Sequence, residues 1–175
     1  MRLSPIENPK SLTLKLAYFI SKKAFGKVIA PLRFIYSRSL PIMWTSVKIL
    51  RTDNKLSLPK ETRIFIRYYT SHFNDCKFCS NSIDFMAQKE KLAFEQWKDF
   101  MNFRNSPNFS KKQKALLAWL EEINTSKAAS DENFLNLKKH FSEKEIVEIT
   151  WINATENYFN LMAKPLGLQS DELKI

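Results

Sequence analysis

Residues 70–85 read "TSHFNDCKFCSNSIDF" and hold both cysteines of the chain, Cys76 and Cys79, with His72, one of only two histidines. Two residues separate the cysteines. Near a helix N-terminus both sulfurs lie close enough to bridge, and the helix dipole with its unpaired N–H groups favours a thiolate. His72 stands four residues before Cys76, and on a continuous helix this puts the imidazole on the same face as that sulfur, within reach of a proton. The residues admit other readings. One is a pair of buried cysteines packed as small hydrophobes beside a satisfied histidine. Another is zinc, but a structural site needs four ligands. His72, Cys76 and Cys79 supply three, and only Asp75, Asp84 or His140 is left as a distant fourth, so no metal is expected.

The rest of the chain limits what this stretch belongs to. With 175 residues, 44% apolar and 13% aromatic, residues 1–175 are expected to form one domain around a sizeable core. Glycine occurs only at Gly26 and Gly167, which suits helices better than turn-rich sheets and predicts an all-α fold. The apolar run "LTLKLAYFI" is broken by Lys15 and closed by "SKK", too short to span a bilayer and without a small-residue cleavage site. A cytoplasmic location is expected, where paired thiols are more often catalytic or metal-binding than structural.

The net charge of +10 is unevenly spread. Residues 1–56 carry 11 Lys/Arg against Glu7 and Asp53, whereas residues 57–175 carry 17 against 16. A basic, aromatic-rich segment suits nucleic acid or an anionic membrane surface; it is equally the solvated face of ordinary helices. No nucleic-acid fold signature accompanies it, so no nucleic acid is expected.

Helix signals punctuate the chain. Ser11 precedes the run Leu12, Leu16, Phe19, Ile20, Ala24, which Gly26 ends. Pro31 and Pro41 open short helices over about 31–38 and 41–52. "DNKLSLP" is a loop. Pro59 opens a helix through Ile64, Ile66, Tyr68, Tyr69 and Phe73, and another runs from about Cys79 to Glu90. "RNSPN" breaks the chain before Ser110, whose capping box with Gln113 starts the "ALLAWLEEI" helix. Ser130 starts one more, and Ser142 with Glu145 caps a last helix to about Lys164, ended by Pro165 and Gly167. On that helix Thr150, Asn153, Glu156, Asn157 and Asn160 fall in one wedge, with Val147, Trp151, Ala154, Tyr158 and Met162 opposite. Such a stripe lines a cavity, bonds across an interface or faces water.

"HFNDCKFCSNSI" resembles the signature of the carboxymuconolactone decarboxylase and alkyl hydroperoxidase D (AhpD) superfamily, "LNGCAYCxxxH" after an apolar helix. "FSKKQKALLAWLEEIN", "HFSEKEIVEIT" and "ENYFNLMAKPLGL" resemble the family's later helices, so the likeness covers about 57–168, behind a basic N-terminal helical segment, 1–56. It implies an AhpD-like helical bundle with the cysteines on a helical hairpin, a homo-oligomer and no cofactor. It further implies a thiol–disulfide oxidoreductase or peroxidase, in which Cys79 attacks the peroxide or disulfide and Cys76 resolves it, an outside thiol serving as reductant. Decarboxylation of a lactone is not expected, since members performing it generally lack the cysteine pair.

Several family positions differ. The family's glutamate and histidine are Ile64 and Ile83 here, its glycine before the first cysteine is Asp75, and the arginine after the late asparagine is Leu161. Asp75 is expected to raise the Cys76 thiol by like-charge repulsion. His72 and Glu156 remain as proton-transfer candidates, the latter provided the last helix packs on the cysteines. The alternative is a non-catalytic helical oligomer with redox-sensing or vestigial cysteines, binding an anionic partner through its basic N-terminal third.

Overall fold

The computed structural model describes residues 1–171, the side chain of Gln96 excepted, and these residues contain helices and no strand. The α-helices are α1 (Leu12–Phe25), α2 (Leu40–Asp53), α3 (Lys60–Phe73), α4 (Lys77–Lys89), α5 (Lys111–Ser126), α6 (Asp131–Lys138) and α7 (Glu143–Ala163). A π-helical turn, Leu32–Tyr36, lies between α1 and α2. No described helix is long and apolar enough to cross a membrane.

The expected caps form. The side chains of Ser110 and Ser142 accept from the backbone N–H of Gln113 and Glu145, which reach back to the cap N–H at 2.9 and 2.8 Å. Ser130 accepts from Asn133 N–H. Gly26 ends α1 in the left-handed region, φ 72°. One element escaped the sequence reading: a 3-10 helix over Phe94–Asn102. Phe94, Trp97, Phe100 and Phe103 recur every third residue, the 3-10 period rather than the α period, and all four are buried.

Helix α3 is the axis of the fold. Every residue from Ile64 to Ser71 is buried, and the helix packs on α4, α7 and α5. Its apolar side joins Ile83 and Ala87 of α4, Trp97 and Phe100 of the 3-10 helix and Leu116, Leu117 and Leu120 of α5 in the main core. Edge-on aromatic pairs, Phe65 with Trp97 at 5.0 Å and Tyr68 with Phe100 at 5.9 Å, add directional preference to that burial. The start of α3 is pinned from α7. The Glu148 carboxylate accepts from the N–H groups of Ser57 and Leu58 and from the Ser57 hydroxyl at 2.9–3.0 Å.

Two helices turn their stripes the opposite way from a simple amphipathic reading. On α1 the core side is Leu14, Tyr18 and Ser21, and the longer run Leu12, Leu16, Phe19, Ile20 is exposed. On α7 the polar residues Asn153, Glu156 and Asn160 are buried, whereas Val147, Trp151 and Leu161 are exposed. The polar stripe faces neither water nor another chain, because α3 and α5 offer it hydrogen-bonding partners. Thr150 is the exception, exposed and bonded to the Ile146 carbonyl of its own helix.

Candidate active site

The cysteines sit where α3 reverses into α4. Asp75 takes a left-handed conformation, φ 48°. Its N–H donates to the His72 carbonyl at 2.9 Å, and the Cys76 N–H donates to the Ser71 carbonyl at 3.0 Å. These two bonds close a Schellman turn whose left-handed position favours glycine and tolerates Asp or Asn. The glycine of the resembled signature and Asp75 therefore answer the same backbone requirement. Helix α4 starts two residues earlier than the sequence reading placed it, so Cys76 is its N-cap and Cys79 the third residue of its first turn.

The two sulfurs are joined in a disulfide, with the Cα atoms 5.3 Å apart, inside the roughly 4.4–6.8 Å that such bonds span. The first turn of α4 carries Lys77 and no acidic residue, so the dipole, the N–H groups and the local charge all favour a thiolate once the bond is reduced. The Asp75 side chain is 75% exposed and lies 3.6 Å from Lys164. Water and this cation screen the repulsion expected at Cys76.

Both cysteines are buried, at 2% and 4% exposure. They are walled by Ala30, Phe34 and Ile35 from the N-terminal segment and by Ala163 and Leu168 from the end of α7 and beyond. The basic N-terminal third thus covers the sulfurs as well as carrying charge, a role sequence reading missed. The signal was "RFIY", where Phe34 and Ile35 form an apolar pair among cations.

The proton-transfer candidates are placed differently from one another. The pairing of His72 with Cys76 rests on a continuous helix, but α3 ends at Phe73 and the chain turns before Cys76. The His72 ring lies on Tyr68 at 4.1 Å, near Phe100, with Nδ1 2.8 Å from the Tyr68 carbonyl. Burial pushes the neighbouring Asp84 carboxyl up, with His72 and Lys98 opposing that shift. Glu156 is buried in a network. It accepts from Arg67 at 2.6 Å, from Ser71 Oγ at 2.9 Å and from Asn160 at 2.8 Å. Arg67 also pairs with Asp53, which accepts from Trp151 Nε1 at 2.8 Å.

Through Ser71, whose carbonyl holds the Cys76 N–H, Glu156 is tied to the cysteine turn. Asn74, on the same turn, donates to Asn157 and Asn160 of α7 at 2.9 and 2.7 Å. The structure therefore brings Glu156 to the turn through Ser71 and leaves His72 in an aromatic niche. Ile64 and Ile83, where the family carries its relay, are 3% and 5% exposed and belong to one apolar cluster.

No family model matches the sequence, and no curated protein matches it. Solved structures do. An Agrobacterium tumefaciens protein of unknown function, ATU0492, described as a candidate antioxidant defence protein AhpD, is 27% identical over 77% of this chain and 94% of its own, with a TM-score of 0.70. The debrominase Bmp8, as a cysteine-to-alanine variant in complex with 2,3,4-tribromopyrrole, is 17% identical over 98% of this chain and 92% of its own, with a TM-score of 0.81. An alkylhydroperoxidase AhpD core, a peroxidase-related protein from Ralstonia eutropha, is 18% identical over 97% and 92%, with a TM-score of 0.77. The structural neighbours are AhpD-like and peroxidase-related, consistent with the superfamily that the sequence resembles. With the Cys-x-x-Cys pair at disulfide distance, they support a redox role.

Proposed function

We propose that this AhpD-like chain is a thiol–disulfide redox protein that reduces a peroxide, with α3 and α4 as the family's cysteine-bearing hairpin. The observation that carries this is the cysteine pair at bridging distance, on the N-terminus of a helix and enclosed by apolar side chains. The Cys79 thiolate attacks the terminal peroxide oxygen. The O–O bond breaks, an alcohol or water leaves with one proton, and Cys79 becomes a sulfenic acid. The Cys76 thiol displaces that hydroxyl as water, forming the disulfide, and an outside dithiol restores both thiols by exchange. Glu156 acts as a positioning residue in this scheme: with Asn157 and Asn160 it holds the turn that keeps Cys76 opposite Cys79.

A second oxidant class is supported by the likeness to the debrominase, which runs over 98% of the chain and so takes in the segment covering the sulfurs. There the pair gives two electrons to a carbon–bromine bond, the ring gains a proton, bromide leaves and the same disulfide forms. The non-catalytic alternative is not favoured. We further propose that the protein is a cytoplasmic homo-oligomer, since Trp44 and Leu50 on α2 and Val147, Trp151 and Leu161 on α7 leave large apolar surface exposed.

The test is to give the reduced protein either a hydroperoxide or 2,3,4-tribromopyrrole and follow thiols and products. Cys79→Ser abolishes turnover, whereas Cys76→Ser leaves a Cys79 sulfenic acid that a dimedone-type probe traps after peroxide. Wild-type turnover by Cys79→Ser contradicts the scheme.

A further inference from the structure

The exposed stripe of α1 is unusual for its surroundings. Leu12, Leu16, Phe19 and Ile20 are 82%, 59%, 64% and 56% exposed. At 100° per residue they share an arc of about 100°. They oppose Leu14 and Tyr18, which pack inward with Val28, Leu32 and Met43, and Ser21, which is buried and hydrogen-bonded to the Lys27 carbonyl and the Ile29 N–H. The helix is therefore fixed to the protein by one apolar side and presents a second, wider one outward. Lys10, Lys15, Lys22 and Lys23 flank or interrupt that side, all exposed and, among the described residues, without a carboxylate partner. The only acids of residues 1–56 are engaged elsewhere, Glu7 with Arg33 and Asp53 with Arg67.

We infer that α1 is an interfacial helix that seats this protein on an anionic lipid surface. Charge complementarity selects the occupant. A second copy packed face to face on α1 brings like charges together, and nucleic acid answers the lysines but not the four apolar side chains. An anionic bilayer satisfies both: the apolar arc enters the headgroup boundary, and the lysines stay at phosphate level with their stems along it. The apolar surfaces of α2 and α7 remain available to another copy.

Vesicle co-sedimentation of the full chain tests this with phosphatidylcholine alone and with phosphatidylglycerol mixed in. The wild type binds the mixed vesicles and not the neutral ones, and added salt weakens binding. Phe19→Ser with Ile20→Ser lowers affinity by more than about tenfold. Lys22→Gln and Lys23→Gln each lower it about fivefold, one surface charge apiece. These positions are exposed, so circular dichroism stays that of the wild type. Leu135→Ser, comparably exposed but on α6, leaves binding unchanged. Three results overturn the inference: equal binding to neutral vesicles, α1 variants that bind like the wild type, or no vesicle binding with a particle mass that falls to the monomer in Phe19→Ser with Ile20→Ser. The last assigns the stripe to a second copy.

Discussion

Helix α3 turns two unlike sides to its neighbours. Toward α7 it presents Arg67, Thr70, Ser71 and, just past its end, Asn74, each hydrogen-bonded to Asn153, Glu156, Asn157 or Asn160. Toward α4, α5 and the 3-10 helix it presents Phe65, Tyr68 and Tyr69, which touch apolar groups. Apolar burial is non-directional and tolerates small shifts, whereas hydrogen bonds fix angle and distance. The cysteine turn hangs from the directional side: Ser71 holds the Cys76 N–H, and Asn74 is bonded to α7. The family's relay positions, Ile64 on α3 and Ile83 on α4, lie in the apolar cluster instead.

Breaking the polar side should cost most. Arg67→Met leaves the buried Asp53 and Glu156 carboxylates without their shared cation and is expected to lower stability by about 3–5 kcal/mol, read from denaturant midpoints. If the midpoint stays put, the network is dispensable and the turn is held otherwise. The apolar side offers the converse change. Ile83 lies one helical turn after Cys79, so Ile83→His places an imidazole on that face and should speed oxidation by peroxide about a hundredfold. No gain would show that a missing relay is not what limits the rate. Ile64→Glu is a poorer restoration, since its carboxylate replaces a side chain packed in the main apolar cluster.

Glu148 sharpens the comparison through pH. Burial alone would raise its carboxyl, but the N–H groups of Ser57 and Leu58 and the Ser57 hydroxyl outweigh it and hold the carboxyl below its ordinary value. A lowered carboxylate adds stability above its unfolded value, and this is lost as pH falls through the folded value. Glu148→Gln should therefore cost about 1.5–3 kcal/mol at neutral pH, a gap that closes in acid. A pH-independent gap would mean that packing rather than charge pins α3. The smallest effect is expected at the turn itself. Asp75→Gly removes a left-handed non-glycine residue and should raise stability by about 1 kcal/mol or less, since the Lys164 pair it loses is exposed.

Caps and breakers made most of the helices legible. Ser110 with Gln113 and Ser142 with Glu145 act within one turn, so local chemistry decides them. Which way α1 and α7 face was not legible, because both carry apolar residues on opposite sides and only the partners decide which side is buried. The stripe on α7 looked suited to a cavity, an interface or water until Arg67, Ser71 and Asn124 lay across from it. In the site, the cysteine pair could be read from spacing alone. The relation of His72 to Cys76 could not, since a helix end at Phe73 changes the geometry that a spacing of four implies. The cover formed by Phe34 and Ile35 is a long-range contact: "RFIY" marks an apolar pair but not what it covers.

The claim that Cys76 and Cys79 form a working redox couple is tested most directly by titrating the fully reduced wild type with stoichiometric peroxide. Thiols are counted, and the intact chain is weighed before and after a dithiol is added. The account predicts that both thiols disappear together, that the chain loses two hydrogens as an internal disulfide forms, and that the dithiol restores it. Thiols that survive peroxide, or a single oxidised sulfur that never bridges, would contradict it.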